Sequence, residues 1–303
     1  MYRVLVLSGG ISNERKISLR SGRSVFKALI EAGYDATLFD TKKGMNKLRS
    51  ELANFDVVFP VLHGRGGEDG SVQKILEEHN VPFVGSDSRS SLLCFDKLRY
   101  IKFLASKGIN CPVTESVNKS NFRVSRLLAK PFILKPVSGG SSIDVLFCHT
   151  PSTLDVNRVE QLLNKYGDML IEELVIGIEI TVGIVNDMVL PVIEIVPPSN
   201  QDFDFNNKYN GKTKELIPPP NVSQSLQVKA QKLALKIHNT IGCQDISRTD
   251  IIIDKNNRMF VLETNTIPGF TEQSLLPKAA LEANISMPRL VDILIKSAIN
   301  RKN

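Results

Sequence analysis

Short apolar runs alternate with longer stretches of helical spacing through the first part of the chain. Val4-Leu5-Val6-Leu7 is an apolar run closed by Ser8-Gly9-Gly10. Leu19, Gly22, Val25-Phe26 and Leu29-Ile30 then recur at the spacing of one helix face, and Gly33 is placed to end that helix in a left-handed conformation. Asp35 to Phe39 and Val57 to Val61 read as two further strands, Ser71 to His79 as a helix, and Val81 to Val84 as a fourth strand. Strands alternating with helices predict a parallel sheet covered by helices, an α/β domain. Ligands of such sheets sit beyond the strand C-termini, which directs attention to the loops starting at Ser8 and His63.

Beyond this segment the pattern changes. A helix is expected from Ser91 to Lys107, a strand over Phe132-Ile133-Leu134-Lys135-Pro136, a helix from Asn157 to Tyr166 and a strand from Met169 to Leu174. Asn186-Asp187 and Lys255-Asn256-Asn257 each lie between two apolar runs and read as hairpin turns. The polar stretch at residues 198–220 is long for a plain connection and reads as a functional loop. Helices follow from Ser223 to Asn239 and after Met287.

Composition narrows the function classes. The 303 residues are 42% hydrophobic and 23% charged, ordinary globular values, and the length suits two or three domains. The net charge of +6 arises from 38 basic and 32 acidic residues mixed along the chain. With no tryptophan and no basic stripe interleaved with aromatics, nucleic acid is not an expected partner. Four cysteines at wide spacing, with no CxxC pair, suit reduced thiols in a cytoplasmic protein rather than disulfides or zinc. The opening MYRVLVLSGG reads as a strand and not a signal peptide. No apolar stretch approaches the ~20 residues that cross a bilayer, so no membrane association is expected.

Three local patterns carry chemistry. In the first, Asp250 and the Glu263-Thr264-Asn265 run flank a tight turn. Alternate strand residues share a face, so Glu263 and Asn265 project together and the hairpin brings Asp250 beside them. Two carboxylates and an amide oxygen are hard donors suited to Mg²⁺; the same residues would also suit the polar outer face of a hairpin. In the second, Lys135 precedes Val137-Ser138-Gly139-Gly140-Ser141-Ser142, a set of ammonium, hydroxyl and backbone N–H groups that can surround phosphates. It lacks the lysine placement of a Walker A loop, and Gly-Gly-Ser-Ser is also an ordinary turn composition. Lys97, Glu172 and Glu179 could complete a nucleotide site. The third is His63-Gly64-Arg65-Gly66-Gly67-Glu68-Asp69-Gly70, where glycines permit close approach of a ligand. His63 is either a proton carrier near neutral pH or simply an exposed loop histidine.

In combination these motifs resemble the D-alanine–D-alanine ligase family of the ATP-grasp superfamily. The resemblance rests on residues 9–18 (Gly-Gly-Ile-Ser-Asn-Glu-Arg-Lys-Ile-Ser), on His63 to Gly70, and on Asp250 with Glu263-Thr264-Asn265-Thr266-Ile267-Pro268-Gly269-Phe270-Thr271 and Ser274-Leu275. It implies a three-domain ATP-grasp architecture with an N-terminal parallel-sheet domain and α+β character in the ATP-binding part. The expected divisions are 1–93 (substrate-binding), 94–183 (central) and 184–303 (C-terminal, carrying the metal site). It further implies ATP as co-substrate and two Mg²⁺ ions on Asp250, Glu263 and Asn265, with Mn²⁺ able to substitute. Lys97, Lys135, Ser142 and Lys208 would meet phosphates, Glu172 and Glu179 the adenosine, and Glu173, Leu174 and Val175 the adenine. Glu14, Ser141 and Tyr209 would form a hydrogen-bonded triad that closes the 198–220 loop, with Glu14 holding the first D-alanine. Arg248 and the Gly269 N–H would stabilise an oxyanion. His63, Glu68, Ser274 and Leu275 would bind substrate, Ser274 and Leu275 through the second carboxylate. A homodimer is implied as well. Alternatives left open are D-lactate or D-serine as second substrate and a non-catalytic nucleotide-binding regulator. One departure stands out: Asp144 occupies a position where the family usually has glycine, and a carboxylate there would repel a triphosphate unless turned away.

Overall fold

The computed structural model describes residues 1–140, 143–198 and 213–301. The N-terminal sheet has the order β2-β1-β3 and is parallel, with β1 Arg3–Ser8, β2 Asp35–Asp40 and β3 Val57–Pro60. Strand β1 is apolar without alternation because both its faces are covered. Val4 and Val6 join α1 (Arg15–Glu31) and the C-terminal helix α9 (Met287–Asn300) in one core. Leu5 and Leu7 join α2 (Met45–Glu51) and α3 (Ser71–Glu78) in another. Gly33, with φ +85°, follows the end of α1 as expected.

The expected fourth strand is a correction. Only Phe83 pairs, through a single parallel bridge to Val58. Pro82 has no N–H to donate to a ladder, and the glycine at 85 turns the chain away with φ +105°. The expected helix from Ser91 to Lys107 is in fact two, α4 Ser88–Phe95 and α5 Lys97–Ser106. Asp96 breaks them. Its backbone is extended, its carboxylate accepts the Arg99 N–H at 3.0 Å to cap α5, and it bridges Ser138.

The central sheet is antiparallel, ordered β4-β7-β5-β6 from β4 Thr114–Val117, β5 Phe132–Pro136, β6 Leu146–Cys148 and β7 Met169–Glu173. Helix α6 (Val156–Tyr166) packs Val159, Leu162 and Leu163 against Phe132, Leu134 and Ile171. The third sheet is built on β8 Gly177–Val185 and also contains β9 Met188–Val189, β10 Ile193–Val196, β11 Lys214–Leu216, β12 Ile246–Asp254 and β13 Met259–Asn265. Ile180, Val182 and Ile184 of β8 pack on Ala230, Ala234 and Ile237 of α7 (Gln224–Ile241). Both hairpin turns fall where the sequence places them, with Asn186 and Asn257 left-handed at φ +53° and +60°. Helices α8 (Leu275–Glu282) and α9 return to the N-terminal domain, where Phe270 meets Phe59 edge-on at 5.3 Å.

Candidate active site between two antiparallel sheets

A cavity of about 1100 Å³ lies between the central and third sheets, with the loop after β1 at one end. Its floor carries Asp250 and Ile252 from β12, together with Leu262 and Glu263 from β13. Asp250 and Glu263 are direct cross-strand partners. Just beyond them the register shifts, so that Ile251 pairs with Val261 and Leu262 is left as the extra residue of a bulge. Bulges re-aim side chains, and here neighbours 262 and 263 both reach the cavity. Asn265 lines a separate small recess together with Glu68, and Lys97 and Glu263 line both this recess and the cavity.

The carboxylates are tightly engaged. Asp250 takes Arg248 through Nε at 3.0 Å and Nη2 at 2.9 Å, and accepts the Thr181 hydroxyl at 2.5 Å. Glu263 faces Lys97 Nζ at 3.1 Å. Burial works against the charge on Lys97 and Arg248, but the surrounding carboxylates outweigh it and raise both pKa values. Asp250 and Glu263 face the cavity, each paired with a fixed cation, and Asn265 lines the neighbouring recess that Glu263 also reaches; the three side chains offer hard oxygen donors of the kind that fits a divalent ion. Among the described residues no group of three or more His, Cys, Asp or Glu side chains gathers around one point, so the amide of Asn265 is needed to complete a protein-derived trio. Behind the hairpin, Thr249 and Thr264 share a hydrogen bond of 2.9 Å and Tyr100 adds one of 2.7 Å to Thr264, locking the strand pair from its buried side.

On the opposite wall Lys135 Nζ donates to Glu172 at 2.7 Å, and the Thr114 hydroxyl donates to the other oxygen of Glu172 at 3.1 Å. Glu172 is buried, so its charge is matched by Lys135 within the wall. Glu173, Leu174, Val175 and Glu179 line the same cavity, with Ile133, Ile178 and Val196 supplying apolar surface for a flat ring. The segment after β5 is stitched to α5: Lys97 N–H donates to Val137 O at 3.0 Å, and Lys97 Nζ to Gly139 O at 2.7 Å.

Glu14 precedes the first turn of α1 and is clasped by glycines from two other segments. A Cβ at Gly64 would stand 2.9 Å from its carboxylate, and one at Gly140 3.3 Å from both oxygens. Glycine is required at Gly64 for space and for its φ of +73°. Glu68 receives the Gly64 N–H at 2.7 Å. Desolvation, and then the nearby Glu14 charge, push its carboxyl up to about 8.

The exposed-loop reading of His63 needs correction. It is 7% exposed, and burial, with Arg248 nearby, lowers its pKa to about 4, which favours the neutral imidazole near pH 7. Its Nε2 lies 3.3 Å from the Ser21 hydroxyl, which also accepts the Phe270 N–H at 3.3 Å. Gly269 approaches Ser274 so closely that a Cβ would stand 2.6 Å from its hydroxyl. Ser274 accepts the Thr271 N–H at 3.1 Å and leads into α8. The Leu275 side chain packs on the N-terminal core, leaving its backbone as the part available to a ligand. Ser141, Ser142, Lys208 and Tyr209 lie outside the described residues. Thr181 was missed by sequence reasoning, although Glu179 and Thr181 are the polar positions on one face of an otherwise apolar strand.

A model of the D-ala D-ala ligase N-terminus matches residues 40–86, and one of the D-ala D-ala ligase C-terminus matches residues 103–296. The D-alanine–D-alanine ligase of Thermotoga petrophila is 40% identical over 302 residues, covering 98% of this chain and 97% of the relative. The chain belongs to the D-alanine–D-alanine ligase family. Among solved structures, the family member from Bacillus anthracis in complex with ATP aligns with a TM-score of 0.85 at 29% identity, covering 99% of this chain and 98% of its own. The VanG D-Ala:D-Ser ligase of Enterococcus faecalis aligns with a TM-score of 0.81 at 27% identity, covering 98% and 99%. The family's ATP-grasp fold therefore accounts for the two antiparallel sheets that enclose the cavity. No described helix is long and apolar enough to cross a membrane.

Proposed function

We propose that the chain joins two D-alanines into D-alanyl-D-alanine with conversion of ATP to ADP and phosphate, a step that supplies peptidoglycan precursors in the cytoplasm. The observation that carries this reading is the convergence on one cavity of Lys97, Lys135, the Asp250–Glu263 pair and Glu14. A non-catalytic nucleotide binder would need no Arg248 beside the carboxylates and no Glu14 clasp.

ATP lies in the cavity with its base against Glu173, Leu174 and Val175 and its ribose near Glu179; Glu172 holds Lys135 in place. Lys97, Lys135, Ser142 and Lys208 draw the phosphates to the floor. Asp250, Glu263 and Asn265 would hold two Mg²⁺ ions, with Mn²⁺ able to substitute, and the bound metal would supply charge neutralisation for phosphoryl transfer. A carboxylate is a poor electrophile, so the first D-alanine is activated as an acyl phosphate, its ammonium held by Glu14 with Ser141 and Tyr209. The second D-alanine, its carboxylate at Ser274 and the Leu275 N–H, attacks the acyl carbon. The oxyanion that forms is met by Arg248 and the Gly269 N–H, and phosphate leaves. Neutral His63 and Glu68 shape the substrate end of the site. The part of the 198–220 stretch that precedes β11 would close over the reactants and keep water from the acyl phosphate.

Strand β8 starts at Gly177 and pairs along its whole length with β12. We therefore place the boundary of the last two domains near residue 176 rather than between 183 and 184, keep the first near residue 93, and expect a homodimer. D-serine is the second reading of the acceptor, favoured by the likeness to the VanG ligase, while Lys208-Tyr209 favour D-alanine by family resemblance. Measuring ADP release with D-alanine alone, then with D-serine or D-lactate added and the products weighed by mass spectrometry, tests both readings. ADP release indifferent to D-alanine would defeat the proposal, and a D-alanyl-D-serine product at equal acceptor concentrations would select the second.

A further inference from the structure

We propose that Asp144 is a positioning residue for the nucleotide, latching the segment after the Gly139-Gly140 turn onto helix α6. This rests on the reading of the cavity as an ATP site. The near end of that segment is fixed to α5 through Lys97 and the Asp96–Ser138 bridge. At the far end, Ile143 and Val145 line the cavity. Asp144, between them, points the other way. Its carboxylate accepts from Arg158 at 3.0 Å, from Lys165 at 2.5 Å and from the Tyr166 hydroxyl at 2.6 Å. Residues 158 and 165 are two helical turns apart and share a face of α6.

Three observations make this a built contact rather than an incidental surface pair. The Asp144 side chain is 16% exposed while Arg158 and Lys165 are 45% and 58% exposed, so the acid lies beneath its two bases. Tyr166 lines the cavity as well as touching Asp144, tying the latch to the wall. The backbone of Asp144 is left-handed at φ +56°, a conformation that glycine takes freely and aspartate takes at a penalty. Two cations and a phenol offset that penalty and cancel the charge that would otherwise repel a triphosphate. A glycine here would keep the backbone path but release the latch.

The test is calorimetric titration of a non-hydrolysable ATP analogue with Mg²⁺, alongside KM for ATP and kcat. Asp144→Gly is expected to weaken analogue binding about five- to tenfold, a change of about 1–1.4 kcal/mol, and to raise KM for ATP in parallel with kcat within about twofold. Asp144→Asn tolerates the left-handed backbone and can still meet the Tyr166 hydroxyl, so it should fall between wild type and glycine; it also carries the test should the glycine variant fail to fold. Arg158→Gln combined with Lys165→Met should match Asp144→Asn and add nothing further in an Asp144→Gly background. Binding by Asp144→Gly equal to or tighter than wild type, or multiplicative effects in the combined variant, would overturn the latch. Wild-type protein that binds the analogue but releases ADP without regard to D-alanine would overturn the ligase reading and leave the binding series to decide the latch. Wild-type protein that binds no analogue overturns both.

Discussion

Lowering the pH from 7 to 5 should cost this protein stability through a histidine remote from the cavity, and replacing that histidine should remove the loss. His238 on α7 is 4% exposed, with Nδ1 2.7 Å from the buried Ser247 hydroxyl. Burial lowers its pKa from 6.5 to about 4, against a weaker opposing pull from Asp187. The unfolded chain takes up a proton as pH drops below 6.5, whereas the folded chain does so only near 4. Stability is thus full above pH 6.5 and is lost as pH falls through that window. One such group loses about 2 kcal/mol between pH 7 and pH 5. Across the same interval Glu68 works in the opposite sense. Its raised pKa means that the folded state already holds a proton the unfolded state has yet to bind, so its contribution improves as pH falls. His63 adds a loss like that of His238. The wild-type curve alone therefore mixes opposing effects, but the difference between wild type and His238→Gln cancels them. Urea unfolding of both proteins at half-unit steps should give curves that approach each other by about 2 kcal/mol on going from pH 7 to pH 5. Parallel curves would refute the claim that His238 is buried as the neutral base, and with it the reasoning applied to His63.

Glu263→Gln should reduce D-alanine-dependent ADP release by about a thousandfold or more through loss of a metal carboxylate; near-normal turnover at ordinary Mg²⁺ would sink the metal assignment. Thr181→Val removes the 2.5 Å hydrogen bond that orients Asp250, and should raise the Mg²⁺ concentration for half-maximal rate by about three- to tenfold with the fold retained; an unchanged Mg²⁺ dependence would show that Arg248 alone fixes Asp250. Tyr209→Phe should weaken discrimination among D-alanine, D-serine and D-lactate as acceptors, and identical specificity constants for all three in variant and wild type would refute its assigned part in loop closure.

What the sequence disclosed, and what it withheld, follows from the range of the interactions. Strand β1, the hairpin turns at Asn186 and Asn257, and the cross-strand meeting of Asp250 with Glu263 all depend on neighbours within a few residues or across one tight turn, where periodicity is informative. The bulge at Leu262 is also local, but alternation carries no mark of it. His63 reaches Ser21 and the backbone of Ile267, the latter more than 200 positions along the chain, so nothing near the histidine announces its burial. The split at Asp96 escaped because the flanking apolar spacing is continuous; only the pairing with Ser138 shows why the helix must stop there. Asp144 is the instructive intermediate case. Read beside a phosphate-binding segment it is a misplaced charge. Arg158 and Lys165, seven residues apart on the following helix, share one face, and two cations on a face within reach of a carboxylate are a reason to expect a contact. A charge that looks unfavourable toward a ligand should therefore first be weighed against the nearest helix of opposite charge, because its side chain will turn toward whichever partner is covalently fixed in reach.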